Sequence, residues 1–159
     1  MKVLESLKDA GATYEVIDCE PSFADTAEFC NHYGYSLDES ANAILLEGKA
    51  ESPVYALCVV LATTRINVNK VARKRLGTRK ASFASAEITK ELTGMEIGGV
   101  TPVGLPVDLP IWIDSLVMET RKVIIGAGSR SAKIYLSPDN LLRFPNTHIV
   151  DGLSMPIVN

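Results

Sequence analysis

The sequence predicts an α+β fold: one compact domain, residues 1–159, with a mixed, barrel-like β-sheet flanked by helices. Three observations carry this. The chain has 159 residues, which at ~100–200 residues per domain is one unit large enough to bury a core. Its hydrophobic share is 47% and its charged share 22%, the balance of a soluble globular chain and not of a disordered one. Helical and strand patterns mix along it without the strict βαβ alternation of a wholly parallel sheet.

The elements read as follows. Val3, Leu4 and Leu7 fall at helical spacing and Gly11 stops that helix. Residues 12–18 alternate like a strand. Asp25 with Glu28 has the form of a capping box opening a helix that ends near Gly34, and Ser36 with Glu39 repeats the device. Strands 43–46 and 54–62 form a hairpin around Glu47, Gly48 and Lys49. Asn67 caps a helix that runs to Leu76, with Val68, Val71, Ala72 and Leu76 inward and Gly77 ending it. A short strand at 81–83 follows, then a helix from Ser85 to Gly94. Residues 95–110 hold glycines and prolines without periodicity, and a long loop in a compact domain is more often functional than not. Apolar strands at 111–113, 122–125 and 132–136, a short helix opened by Ser137-Pro138, and a closing strand at 148–150 complete the chain.

Several function classes drop out. The longest apolar runs, such as 54–62, are far short of the ~20 residues that span a bilayer. The first eleven residues carry charges at Glu5, Lys8 and Asp9 and lack the apolar stretch of a secretory signal. Cys19, Cys30 and Cys58 are odd in number with no CxxC spacing, and His32 and His148 are isolated. Neither a disulfide scaffold nor a metal site is expected, and a reducing cytoplasm is the default compartment. Cys58 reads as a core filler, and Cys30, His32 and Trp112 as packing residues.

Charge is unevenly spread. The run KVARKRLGTRK holds Lys70, Arg73, Lys74, Arg75, Arg79 and Lys80, six of the 16 basic residues in the chain. The rest carries 10 basic against 19 acidic residues, a balance of −9. One concentrated cationic segment on an acidic protein fits a polyanionic partner, although a solvated helix face gives the same pattern.

Two glycine-rich stretches can carry chemistry. In GMEIGGVTPVGLP, residues 94–106, paired glycines allow close backbone approach and prolines fix the shape. Such a loop can present backbone N–H groups to a developing oxyanion; a tight crossover between strands is the alternative. GAGSRSAK, residues 126–133, lacks the GK[ST] of a phosphate loop and the long helix of a dinucleotide fingerprint. A strand–turn–strand is the natural reading, with Ser129, Arg130 and Ser131 at the turn. No cofactor is expected.

Taken together, these segments resemble the YbaK/EbsC family of aminoacyl-tRNA editing domains, related to the editing insertion of bacterial prolyl-tRNA synthetases. DTAE (25–28), the strand pair, Arg65 with NVNKVARKRLG, the block ASAEITKELTGMEIGGVTPVGLP (84–106) and the GAGSRSAKI turn carry the resemblance over nearly the whole chain. It implies a freestanding deacylase that hydrolyses the ester of a mischarged tRNA. tRNA is then the partner, with an aminoacyl-tRNA synthetase as a further candidate and no membrane. It also implies that Gly98, Gly99, Val100 and Thr101 line the ester-binding loop, that Thr26 belongs to a pocket-lining segment, and that Gly126, Gly128, Ser129 and Arg130 close the far side. Lys70–Lys80 becomes a phosphate-facing surface. Catalytic members carry a lysine early in the first hairpin strand, in a pattern like AKTL. Here the stretch reads Ala41-Asn42-Ala43-Ile44, and Asn42 holds that position. An amide can hydrogen-bond but brings no ammonium. Either a nearby cation such as Lys49 or Lys70 replaces it, or the substrate differs, or the domain is a non-catalytic module that binds tRNA or an aminoacyl ligand.

Overall fold

Eight-residue strands β2 (Ala41–Gly48) and β3 (Val54–Leu61) form an antiparallel hairpin at the centre of a computed structural model that describes residues 2–157. Their pairing runs from Ala41–Leu61 to Gly48–Val54. β5 (Ala81–Phe83) adds to β2 along Leu46–Gly48. β6 (Ile111–Asp114) lies parallel to β3, and β9 (Thr147–Val150) parallel to β6. A second, antiparallel sheet holds β1 (Glu15–Asp18), β8 (Ala132–Leu136) and β7 (Val123–Gly126), with β8 in the middle. β4 (Thr64–Ile66) pairs with β10 (Ser154–Pro156).

The fold is α+β with a mixed sheet, and the strands curl without closing into a barrel. The two larger sheets meet at a single parallel bridge, Ser40–Ile124. Between that bridge and the start of the β5 pairing, the outer edge of β2 is left open.

Each large sheet is covered on both faces. Between them lies the main core, in which Val59, Ile113, Val123, Ile134 and Leu136 meet Val3 and Leu7 of α1 (Lys2–Asp9). The other face of the large sheet carries Leu46, Cys58, Val60 and Trp112 under Ala72. That cover is a π-helical turn, Val68–Ala72, running into α3 (Arg73–Leu76). Burial pushes the Cys58 thiol up to about 12, as suits an inert packing group. The outer face of the small sheet is covered by α2 (Thr26–Tyr33), whose Phe29 and Cys30 pack on Ile124. α4 (Ala86–Thr93) lays Ile88 and Leu92 on Leu45 and Leu57. Each fully buried Leu contributes about 1.5–3 kcal/mol relative to exposure.

Most elements read from the sequence are present, with differences that have physical causes. Asp25 does flank α2, but its carboxylate bonds Arg130 and makes no cap. The capping box of Ser36 and Glu39 forms, but on a single 3-10 turn. β4, β10 and α5 (Ser115–Met118) have no counterpart in the sequence reading: β4 and β10 pair only with each other across a long stretch of chain, and one four-residue helical turn shows no period.

Candidate functional site

A cavity of about 400 Å³ lies against the open edge of β2, within the ~300–1,000 Å³ usual for small-molecule sites. Its floor is the β2 stretch 41–45, its walls are Thr26, Thr89, Gly98 and Val100, and Gly126 and Lys133 reach it from the second sheet. The gap exists because β5 stops pairing at Leu46 and β7 only touches at Ser40.

The amide of Asn42 is held in place. Its Oδ1 accepts from the Thr26 hydroxyl at 2.5 Å, which leaves the amide N–H groups to donate. Thr26 stands at the first turn of α2, so this hydrogen bond ties helix to strand.

The glycine-rich loop forms the facing wall by backbone interlock. Gly98 has φ of 91°, a left-handed conformation that favours glycine. A Cβ there would collide with the Arg130 guanidinium, one at Gly99 with the Ser129 backbone, and one at Gly126 with the Gly99 and Val100 carbonyls. Gly128 N–H donates to Gly99 O at 2.6 Å, locking loop to hairpin.

Asn42, Thr26, Gly98, Val100 and Gly126 are therefore brought together. Gly99, Thr101, Gly128, Ser129 and Arg130 are not. Gly99 is buried against the β7–β8 turn, its N–H donating to Glu96 O. Thr101 is fully buried, and its Oγ1 has no hydrogen-bond partner. Gly128 and Ser129 face a separate hollow beside Val3 and Met95. The Arg130 guanidinium donates to Pro21 O, Ile97 O and Asp25 Oδ1. It staples three segments, with four of its five N–H donors committed.

Neither cation suggested to replace a lysine at position 42 reaches the cavity. Lys49 pairs with Glu47 in the hairpin turn, and Lys70 is exposed on the helical segment. The ammonium in the cavity wall belongs to Lys133, which sequence reasoning missed. Lys133 is 6% exposed, and its Nζ donates to Gly98 O at 2.7 Å. Its Nζ also lies 5.7 Å from the centre of the Phe29 ring. Burial lowers its pKa from the ordinary lysine value. Phe83 and Ile97, 56% and 50% exposed, stand at the cavity mouth and were also missed.

Within the basic run, Lys70, Lys74, Arg79 and Lys80 are exposed with no side-chain hydrogen bond or ion pair among the described residues. Arg73 is committed to Asn69 O and Thr78 O, and Arg75 lies over the Trp112 ring at 5.2 Å. Among the described residues, no helix is long and apolar enough to cross a membrane.

Residues 20–144 match the family described as the aminoacyl-tRNA editing domain. The chain belongs to that family. Relatives of this editing domain include YwhH of Bacillus subtilis (strain 168), an uncharacterised protein 32% identical over 130 residues, 82% of this chain and 80% of that one. EbsC of Enterococcus faecalis, a candidate Cys-tRNA(Pro)/Cys-tRNA(Cys) deacylase, is 26% identical over 99 residues, 62% of this chain and 58% of EbsC. Among solved structures, the hypothetical protein APE2540 superposes with a TM-score of 0.86 at 25% identity, covering 98% of this chain and 100% of that one. A candidate trans-editing enzyme for prolyl-tRNA synthetase shares the fold at TM-score 0.80 and 24% identity, covering 94% and 93%.

Proposed function

We propose that this editing domain acts in trans as a deacylase, hydrolysing the ester between a wrong amino acid and its tRNA. The observation that carries the reading is the cavity: a family member holds Asn42, the glycine loop and a buried ammonium around one small hollow. Water adds to the ester carbonyl carbon, the bond to the ribose oxygen breaks, and that oxygen leaves with a proton. Free amino acid and uncharged tRNA result. An aminoacyl ester is already activated, so positioned dipoles and a positioned water suffice without a protein nucleophile.

The Asn42 amide N–H groups and the loop backbone orient the ester. Ala41, Ala43 and Val100 set the size of side chain admitted, in the manner of a sieve that hydrolyses what fits. Exposed Phe83 and Ile97 offer apolar faces to the terminal base. Lys80 lies three residues before Phe83 on the same strand path, about 10 Å at ~3.3 Å per residue. The cationic segment thus leads toward the mouth, where phosphates of the acceptor end would pass.

A panel of mischarged tRNAs incubated with the intact protein tests this. Release of one or a few amino acids, with correctly paired aminoacyl-tRNAs spared, is expected. No release from any member would overturn the deacylase reading. Tight binding of tRNA without release would then favour a module that binds only, the reading that Asn42 at the lysine position suggests.

A further inference from the structure

We propose that Lys133 is the catalytic cation of this site, its ammonium taking the carbonyl oxygen of the scissile ester as negative charge grows on it. The inference rests on the deacylase reading and adds the residue that stabilises its transition state.

Four observations carry it. Lys133 is almost wholly buried, in the wall that also holds Thr26, Asn42, Gly98 and Gly126. Among the described residues it has no ion-pair partner: the nearby carboxylate, Asp25, is bonded to Arg130 at 3.1 Å. Of three ammonium donors, one goes to Gly98 O, and no other hydrogen bond is made within the described protein. Lys49 and Lys70, the other candidate cations, stand outside the cavity.

A buried charge without a counter-charge is costly to the fold. A positively charged donor in the lining of a ligand-sized hollow offsets that cost only when an electron-rich group arrives. The ester carbonyl is such a group, and the oxyanion formed when water adds is a better one. The interaction therefore strengthens along the reaction, which is the condition for raising kcat. Asn42 lines the same hollow from β2, so an ammonium there and one at Lys133 would serve one shared space.

The charge state has identifiable determinants. Asp25 just before α2, Cys30 of α2, Cys19 after β1 and Arg130 of the β7–β8 turn act on the ammonium, with the Phe29 ring beside it. Burial and Arg130 favour the neutral amine, and Cys19, Asp25 and Cys30 oppose them. A step that needs the protonated form loses rate as pH rises through a value below the usual 10.5.

The test uses single-turnover deacylation of whichever mischarged tRNA the intact protein cleaves, corrected for uncatalysed hydrolysis. Lys133→Met keeps the stem and removes the charge. It should lower kcat by about 10²–10³-fold, as loss of one oxyanion donor does elsewhere, with a smaller change in KM. The alkaline fall in rate should vanish with it. Thermal unfolding should show the variant folded and at least as stable as the parent, since an apolar isostere removes the buried charge. The double variant Lys133→Met with Asn42→Lys should regain part of the lost rate. A folded Lys133→Met variant with unchanged kcat and pH profile would overturn this inference alone. Absence of turnover by the parent on every substrate would overturn the deacylase reading and this inference together.

Discussion

At Asn42 a single hydrogen bond decides what the amide can offer. With Oδ1 accepting from Thr26, the N–H side is free to donate toward a carbonyl. Thr26→Val removes the hydroxyl at nearly constant shape, and the amide can then turn. Loss of one neutral hydrogen bond, about 0.5–1.5 kcal/mol, should raise KM for a cleavable aminoacyl-tRNA roughly two- to tenfold while the melting temperature stays close to that of the parent. An unchanged KM would remove Asn42 orientation from binding. Gly126 makes a stricter demand. A Cβ there meets the Gly99 and Val100 carbonyls, and overpacking of a tight site costs about 1–3 kcal/mol. Gly126→Ala should therefore shift the urea midpoint downward and depress activity, and a full-stability variant would contradict the interlock. Lys133 links pH to stability with a definite sign. Its folded pKa lies below 10.5, so between that lowered value and 10.5 the unfolded chain binds more protons and stability gains with rising pH from this group. Activity and this contribution to stability therefore move in opposite directions. Lys133 was not legible in the sequence for a simple reason. In AKIYL the apolar residues alternate inward, which places Lys133 on the face a sheet usually gives to solvent. Only α2 crossing that face buries it, and no local pattern says where a distant helix will lie.

At the scale of elements, the glycine loop and the β7–β8 hairpin act as one wall. The sequence marks both stretches by composition, and in the structure Gly98 and Val100 line the hollow. It could not separate Gly98 from Gly99, because neighbours on a loop differ only in which way the backbone faces. Gly99 spends its glycine on Ser129, not on a ligand. The basic element is similar. Its six cations are adjacent in sequence, yet Arg73 and Arg75 are held by Thr78 and Trp112. Replacing Lys74 and Lys80 by Gln should weaken tRNA binding and reduce the slope of log affinity against log salt by about 0.7–0.9 for each phosphate that is no longer neutralised. An unchanged slope in filter binding would leave these lysines as ordinary surface. Asn67 caps this element, its Oδ1 accepting from Lys70 N–H. That cap was readable because Asn before an apolar helical pattern and Gly after it are local signals.

On the scale of the whole molecule, the site is a consequence of incomplete closure. Two sheets, each covered on both faces, touch at one bridge and leave the β2 edge open. An exposed edge invites pairing with another chain. Here Thr26 of α2, Thr89 of α4 and the glycine loop line the space beside it. The α+β class and the mixed sheet follow from elements visible in the sequence. The open edge does not, because it depends on where β5 ends its pairing and where β7 begins. Another hollow, of about 520 Å³ and lined by Gly104, Leu109 and Phe144, lies elsewhere on the loop. It has no lysine in its lining and serves as a natural control. The decisive measurement is an amide chemical-shift titration with an aminoacyl-adenosine analogue that carries an amide in place of the ester. The largest shifts are expected at Thr26, Asn42, Gly98, Val100 and Lys133 if the cavity at the β2 edge is the ligand site. Shifts gathered instead around Gly104, Leu109 and Phe144, with those five unmoved, would contradict it.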